Sequence, residues 1–179
     1  VFYRMNWLQK LFSVFSNGTS PLPDIPFGRY TDAYKSDAQT AALDRALDLF
    51  EKGDRLAAFD QFFYYLKDES LNNVEWEKKE DSVHFRFWQG SQRIQGVATH
   101  DLVKAESRVA RVSDLNVGFL RMLMEANFHL KFSRFALSPD NCLTIIFDSQ
   151  GVDASPLKLQ HALRELSIQA DKKDDLLLE

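Results

Sequence analysis

Four histidines and one cysteine are the residues whose chemistry could support a metal site or a nucleophilic reaction. The histidines are His84, His100, His129 and His161, and none stands three or four residues from another, the spacing that places two ligands on one helical face. Cys142 has no second cysteine with which to form a disulfide or a multi-cysteine zinc site. The sequence also lacks a glycine-rich phosphate loop, a GxSxG motif and an HExxH motif. We therefore expect no catalytic residues, no cofactor and no bound metal.

One pair of residues keeps a second class of function open. His100-Asp101 resembles the histidine–aspartate ligands of metal phosphohydrolases, but those enzymes hold the pair on a helix among further ligands. Here the pair falls in a strand or a turn. The alternative function is thus a small-molecule-binding or hydrolytic domain that uses His84 or His100 at a sheet. Cys142 opens an apolar strand, which favours a small buried hydrophobic residue over a nucleophile.

An apolar stripe near the start of the sequence is the first candidate for binding a partner. The periodicity predicts a helix over residues 6–16 whose one face carries Trp7, Leu8, Leu11, Phe12 and Phe15. Such a helix must dock on its own domain, a second copy, another protein or a membrane. Only Arg4 and Lys10 are basic there, so a peripheral membrane adaptor is the weakest reading, and self-docking or a homodimer is favoured.

A strand around residues 83–88 supplies the second candidate. If Phe85 and Phe87 face inward, Arg86 and Trp88 stand outward with His84, and an exposed tryptophan beside arginine is typical of a protein-contact hot spot. The interpretation that we favour is that the N-terminal part of the chain, a helical hairpin or the strap that precedes it, covers Trp88.

Charge and composition exclude several classes of protein. The 179 residues are 45% hydrophobic and carry a formal net charge of −4, and basic residues of the sheet region are interspersed with acidic ones. Nucleic-acid surfaces show unmixed basic charge, so we expect no nucleic-acid partner. No run approaches the ~18 apolar residues of a membrane span, and the interrupted N-terminal stretch is a poor signal peptide. Cytoplasmic location is the resulting expectation.

Composition shifts predict four segments along the chain. Residues 1–36 hold the amphipathic helix and a strap interrupted by Pro and Gly, and residues 37–70 form a helical hairpin broken at Gly53-Asp54. Residues 71–170 alternate with period two up to about Val112, which predicts three or four short antiparallel strands. The segment 171–179 is a charged C-terminal tail that we expect to fray.

The second half of the α+β segment is predicted to be a helix, two strands and a helix. Ser113 is the expected cap of the first helix, whose expected inner face is formed by Leu115, Phe119, Met122, Leu123 and Ala126. Strands over 130–137 and 142–148 follow, and Ser155-Pro156 begins the last helix. The side chains expected to be buried together are Phe119, Leu123, Phe135, Ile145 and Leu163.

This second half resembles the YbjN-like and class I type III secretion chaperone superfamily. The resemblance lies in FLRMLMEANFHLKFSRFALSPDNCLTIIFD, which is followed by a capped helix that contains HALREL. In that fold a strand meander leads into a helix with a Leu-x-x-Asn-like end, then a hairpin and a closing helix. Met124-Glu125-Ala126-Asn127 and the helix from Leu157 to Leu166 match those positions, and the likeness covers roughly residues 73–170.

The resemblance implies a non-enzymatic, commonly dimeric protein that binds other proteins. The length of this chain and its added N-terminal 70 residues depart from the secretion chaperones. Together with the element order, the resemblance predicts an α+β fold. This fold is an antiparallel sheet of about five to six strands with helices packed on one face, preceded by a helical hairpin. The expected function is a chaperone-like or regulatory adaptor that binds an unidentified protein.

Overall fold

A computed structural model of the protein describes residues 35–67, 73–112 and 116–177, with side chains described as far as Lys172. The helix predicted over residues 6–16 and most of the strap lie outside this part of the chain, as do Ser113 and Leu115. None of the described helices is both long enough and apolar enough to cross a bilayer.

The predicted helical hairpin is present as α1 (Asp37–Glu51) and α2 (Arg55–Leu66). Ser36 begins α1 with a capping box, in which the Ser36 side chain accepts from the Gln39 backbone N–H and the Gln39 side chain accepts from the Ser36 backbone N–H. Gly53 lies between the helices at a φ of 85°, a conformation that glycine adopts without strain. The two helices pack closely because Ala42 and Ala46 of α1 are fully buried between them and the rest of the core.

Six strands form one sheet in which every neighbouring pair is antiparallel. Their bounds are Val74–Lys78 (β1), Ser82–Gln89 (β2), Gln92–Thr99 (β3), Leu102–Arg111 (β4), Arg134–Leu137 (β5) and Cys142–Gln150 (β6). The order across the sheet is β1-β2-β3-β4-β6-β5, so β1 and β5 are its edges. The α+β fold with its antiparallel sheet and preceding hairpin is as the sequence predicts.

The core lies between the sheet and the helices. Phe63 of α2 stacks on Phe85 of β2 with ring centroids 4.4 Å apart. Gly96 on β3 makes room for this stack, because a Cβ there would meet the Phe85 ring and the Lys104 carbonyl oxygen. Of the five side chains predicted to be buried together, four are buried and Phe119 is half-buried against the core: the four are Leu123, Phe135, Ile145 and Leu163.

Helix α3 (Val117–His129) differs from its prediction at both its start and its inner face. It begins after Asn116, whose side chain accepts from the Phe119 N–H, so Asn116 and not Ser113 is the cap. Met122, predicted to face inward, is 37% exposed. The reason is that Leu123 and its neighbours one turn away already fill the contact with the core.

Helix α4 (Pro156–Leu177) follows a short 3₁₀ turn over Gly151–Asp153. Ser155 caps it as predicted, since its hydroxyl accepts from the Lys158 N–H at 3.3 Å. Its inner face is fully buried, with Leu159, Ala162, Leu163 and Leu166 all in the core. The helix is continuous to Leu177, so most of the segment predicted as a fraying tail is helical.

Candidate protein-binding surfaces

The face of the sheet turned away from the described helices, here called the open face, carries polar side chains. Helices α2 and α4 contact the other face, where the core lies. Because side chains alternate along a strand, the neighbours of core residues point to the open face. Strand register aligns Glu75, Arg86, Gln95 and Glu106 in one row across four strands. The open face is thus an ordered polar surface.

Arg86 and Trp88, the predicted contact pair, both lie on β2 and touch each other. The Arg86 guanidinium donates to the Glu75 carboxylate and lies over the Trp88 ring, 5.8 Å from its centroid. Trp88 is only 5% exposed, which favours the interpretation that another part of the chain covers it over that of an exposed hot spot. Strand alternation assigns a side chain to a face of the sheet but gives no information about what lies over that face.

Glu106 is the carboxylate at the centre of the open face. Gln95, itself 5% exposed, donates from Nε2 to Glu106 Oε1 at 3.3 Å. Burial raises the pKa of Glu106, and this effect outweighs the Gln95 hydrogen bond and the positive charges of Arg108 and Lys104, which lower it. Glu106 is therefore a carboxylate whose charged form is penalised by its surroundings.

The turn between β5 and β6 is tied to β4 by one arginine. Arg108 donates from Nε to Cys142 Sγ at 3.4 Å, and its guanidinium pairs with the Asp140 carboxylate. The Ser138 hydroxyl also donates to Asp140, at 2.6 Å. These two donors, Ser138 first, lower the pKa of Asp140 to about 2. The buried thiol thus sits among structural contacts, in agreement with the prediction of a buried hydrophobic residue.

The two histidines of the alternative hydrolytic function lie in different surroundings. His100 stands in the β3–β4 turn, where an Arg55 Nη atom is 2.9 Å from its Nδ1. His84 lies on the open face of β2, and burial lowers its pKa, helped by Lys79 and opposed by Glu77. Among the residues that the structure describes, no group of three His, Cys, Asp or Glu side chains is arranged to hold a metal ion.

A surface that the sequence analysis did not identify lies on α3. Four apolar side chains there are exposed at successive spacings of three, four and four residues: Val117 (82%), Leu120 (40%), Met124 (71%) and Phe128 (86%). We call them the outer stripe of α3. The available signal was that α3 carries apolar residues on more than one side, which for a helix at the edge of a small domain predicts a second packing surface. The sequence analysis assigned only the inner face and none of these four residues.

Two exposed charged residues, Arg121 and Glu125, flank the outer stripe on one side. Val117 near the start of α3 and Phe128 near its end are both apolar. Between them, Leu120 is followed by the basic Arg121 and Met124 is followed by the acidic Glu125. The arrangement is therefore nearly symmetric about Leu123, with basic and acidic groups exchanged.

Helix α3 is held at its C-terminal end by a side-chain amide. Asn127 Oδ1 accepts from the Phe135 N–H at 2.7 Å, and Asn127 Nδ2 donates to the Phe135 carbonyl at 3.1 Å. The side chain thus pairs with the edge strand β5 as a neighbouring strand would. Asn127 is the residue at the end of the Leu-x-x-Asn-like stretch.

The loop after α3 is held by the Glu165 carboxylate of α4. Glu165 accepts from the backbone N–H groups of Lys131, Phe132 and Ser133 at 2.8–2.9 Å, and from the Ser133 hydroxyl. Burial alone would raise the pKa of Glu165, but these donors together hold it below its usual value. Asn127 and Glu165 therefore fix the orientation of α3 and of its outer stripe.

No family model matches the sequence, and none of the curated proteins matches it either. Two of the solved structures that are similar to the chain are type III secretion system complexes. One is the type III secretion chaperone SycH of Yersinia pestis in complex with a stable fragment of YscM2, at 15% identity, a TM-score of 0.44, and 75% of this chain and 98% of that chain covered. The other is the heterodimeric complex ExoU–SpcU from the type III secretion system of Pseudomonas aeruginosa, at 12% identity, a TM-score of 0.34, and 61% and 86% covered.

Proposed function

We propose that the protein is a non-catalytic protein-binding domain, a chaperone-like or regulatory adaptor, and that it acts as a homodimer formed through the outer stripe of α3. The observation that carries the proposal is the exposure of Val117, Leu120, Met124 and Phe128 on a helix held rigidly by its neighbours. The cytoplasm is its proposed location, because a single buried cysteine suits a reducing compartment.

The energetic case rests on what exposure of the stripe costs. Full burial of one large apolar side chain is worth roughly 1.5–3 kcal/mol, and Met124 and Phe128 are each more than two-thirds exposed. Contiguous apolar surface of this kind marks protein interaction sites. Methionine and aromatic residues are also the types enriched at the centre of interfaces. Covering the stripe is therefore strongly favourable.

The near-symmetry of α3 favours a second copy as the molecule that covers it. In an antiparallel pair of α3 helices related by a two-fold axis near Leu123, Val117 of one protomer lies opposite Phe128 of its partner. The same axis places Arg121 of one protomer opposite Glu125 of its partner. A two-fold interface requires this kind of self-complementary surface. The proposed role as a binder of further proteins is the one that the sequence resemblance implies.

The test is the mass of the full-length protein in solution, measured by light scattering over a concentration series. We expect a dimer for the natural sequence and a monomer for Met124→Asp/Phe128→Asp. The matched control is Val152→Asp/Leu157→Asp, which adds the same charge at two exposed apolar positions outside α3 and should remain dimeric.

A charge exchange tests the orientation of the two helices. Arg121→Glu alone should weaken the dimer by roughly fivefold or more, since it places like charges together, and Arg121→Glu/Glu125→Arg should restore it. A natural protein that stays monomeric at all concentrations, or a dimer that survives the stripe variant with an unchanged circular dichroism spectrum, would refute the homodimer.

A further inference from the structure

Several side chains on the open face are more buried than is usual on the side of a sheet that no helix covers. Trp88 and Cys142 are each 5% exposed, yet neither belongs to the hydrophobic core under the helices. Gln95 on β3 and Thr144 on β6 are 5% and 6% exposed. The solvent-facing side of an antiparallel sheet ordinarily keeps such side chains in contact with water. Arg86 contacts Trp88 and Arg108 contacts Cys142, but no described helix lies over either residue.

The first described residues show where the N-terminal segment joins the domain. Lys35 donates from Nζ to the Leu66 carbonyl at 3.0 Å and lies 5.1 Å from the Tyr65 ring centroid. Ser36 then begins α1. The chain therefore enters beside the C-terminal end of α2, the helix that packs against the edge strand β1. An edge strand is where a chain can pass from one face of a sheet to the other.

The N-terminal segment is long enough to make that passage. Six strands at ~4.8 Å spacing give a sheet about 24 Å wide. The part from Asn17 to Tyr34, fully extended at ~3.3 Å per residue, spans up to about 60 Å. It could carry the predicted helix over residues 6–16 around the β1 edge and across the open face.

We infer that residues 1–34 dock in cis on the open face, with the stripe of Trp7, Leu8, Leu11, Phe12 and Phe15 lying over Trp88 and reaching toward Cys142. The stripe supplies apolar surface that its own helix cannot bury, and the open face supplies buried apolar side chains that no described helix covers. Because the segment belongs to the same chain, its effective concentration at its own domain is on the order of millimolar. Docking on the same chain is thereby favoured over docking on a second copy.

Cys142 provides a reporter for this docking, because it is the only cysteine of the sequence and lies under the proposed contact. We would measure its alkylation by iodoacetamide in the full-length protein. Leu11→Asp/Phe12→Asp should raise the alkylation rate by about tenfold or more, because without the covering segment a small local opening is enough to expose the thiol. The control Gln9→Asp/Ser13→Asp places the same charges on the polar side of the helix and should leave the rate unchanged.

Diluting the protein distinguishes docking of the segment on its own chain from docking on a second copy. Docking in cis predicts an alkylation rate that does not change over a hundredfold range of about 1–100 μM protein, a range that spans typical dissociation constants of weak complexes. A rate that rises on dilution would place the segment on a second copy and overturn the inference. An equal rate in the stripe variant and in the control would overturn it as well, because the segment would then not cover the open face.

A photocrosslink tests the docking in the otherwise natural chain, so that unfolding of a variant cannot account for the result. A benzophenone amino acid at position 12 of the otherwise natural chain should crosslink to peptides of β2, β3 or β6. In a mixture of isotopically heavy and light protein, the crosslinked peptides should be all-heavy or all-light. Mixed pairs, or crosslinks confined to the helices, would contradict docking in cis on this face. Both experiments are independent of the α3 dimer, since the open-face and α3 residues they probe are different.

Discussion

The two faces of the sheet bury their side chains by different means. On the helix-covered face, Phe85 is fully buried and stacks on Phe63, so burial comes from apolar contact between elements of the domain itself. On the open face, the buried Gln95 and Cys142 are held by hydrogen bonds from or to charged neighbours, Glu106 and Arg108. The first face is buried by apolar packing, whereas burial on the second relies on polar contacts with charged side chains.

Adjacent residues on β2 give the sharpest way to test this contrast. Phe85→Ala should cost about 3–5 kcal/mol of unfolding free energy, because it removes the centre of the aromatic stack and leaves a cavity. The matched control is Arg86→Ala on the same strand, which removes a partly buried ion pair and the contact with Trp88 and should cost about 1–2 kcal/mol. Chemical denaturation measures both values. Comparable losses in the two variants would mean that both faces contribute equally to stability.

The Glu165 carboxylate should give the next largest effect. Its folded-state pKa is lowered, so its contribution to stability is fully present above the unfolded value of about 4.3 and is lost as pH falls through the folded value. Glu165→Gln should therefore cost roughly 1–3 kcal/mol at pH 7 through weakened charge-assisted hydrogen bonds. The difference from the natural protein should narrow as the pH falls below about 4. Urea denaturation at several pH values measures this, and a difference independent of pH would show that the charge is unimportant.

Glu106→Gln on the open face should give the smallest change in unfolding free energy, and it should stabilise the protein. The pKa of Glu106 is raised in the folded state, so the folded protein favours the protonated carboxyl. The stability that this provides is fully present below the unfolded pKa of about 4.3 and is lost as the pH rises through the folded pKa. Glu106→Gln removes the penalised charge and keeps an acceptor for Gln95, so we expect a gain of up to ~1 kcal/mol at pH 7 that vanishes in acid. The exposed Glu77→Gln is the control and should change little. Destabilisation by Glu106→Gln at pH 7 would contradict this account.

Local sequence signals predicted the elements well because each depends on neighbours in the chain. The hairpin break at Gly53, the antiparallel strands and the Ser155 cap all follow from periodicity, turn residues and capping within a few positions. The start of α3 was placed too early because two candidate caps, Ser113 and Asn116, lie within one turn of each other.

The surfaces were harder to predict because they depend on contacts between distant residues. Glu165 binds a loop more than thirty positions earlier, and nothing near it in the sequence signals that role. The outer stripe of α3 was not predicted because periodicity identifies a face that can meet the core, here with Phe119, Leu123 and Ala126, but does not say whether apolar residues on the other side are covered. The sequence favoured a covered Trp88, but it could not say which part of the chain covers it, since what lies over a face is a property of the whole fold.

The pairing of Asn127 with Phe135 has a consequence for the behaviour of the protein at high concentration. An edge strand exposes N–H and C=O groups that can recruit a strand from another molecule, which is how sheets grow into aggregates. Asn127 occupies both backbone groups of Phe135 on the short edge strand β5. A single side chain thus blocks the middle of this edge against pairing with a strand of another molecule. Replacing Asn127 by Ala would leave the N–H and C=O groups of Phe135 available for such pairing.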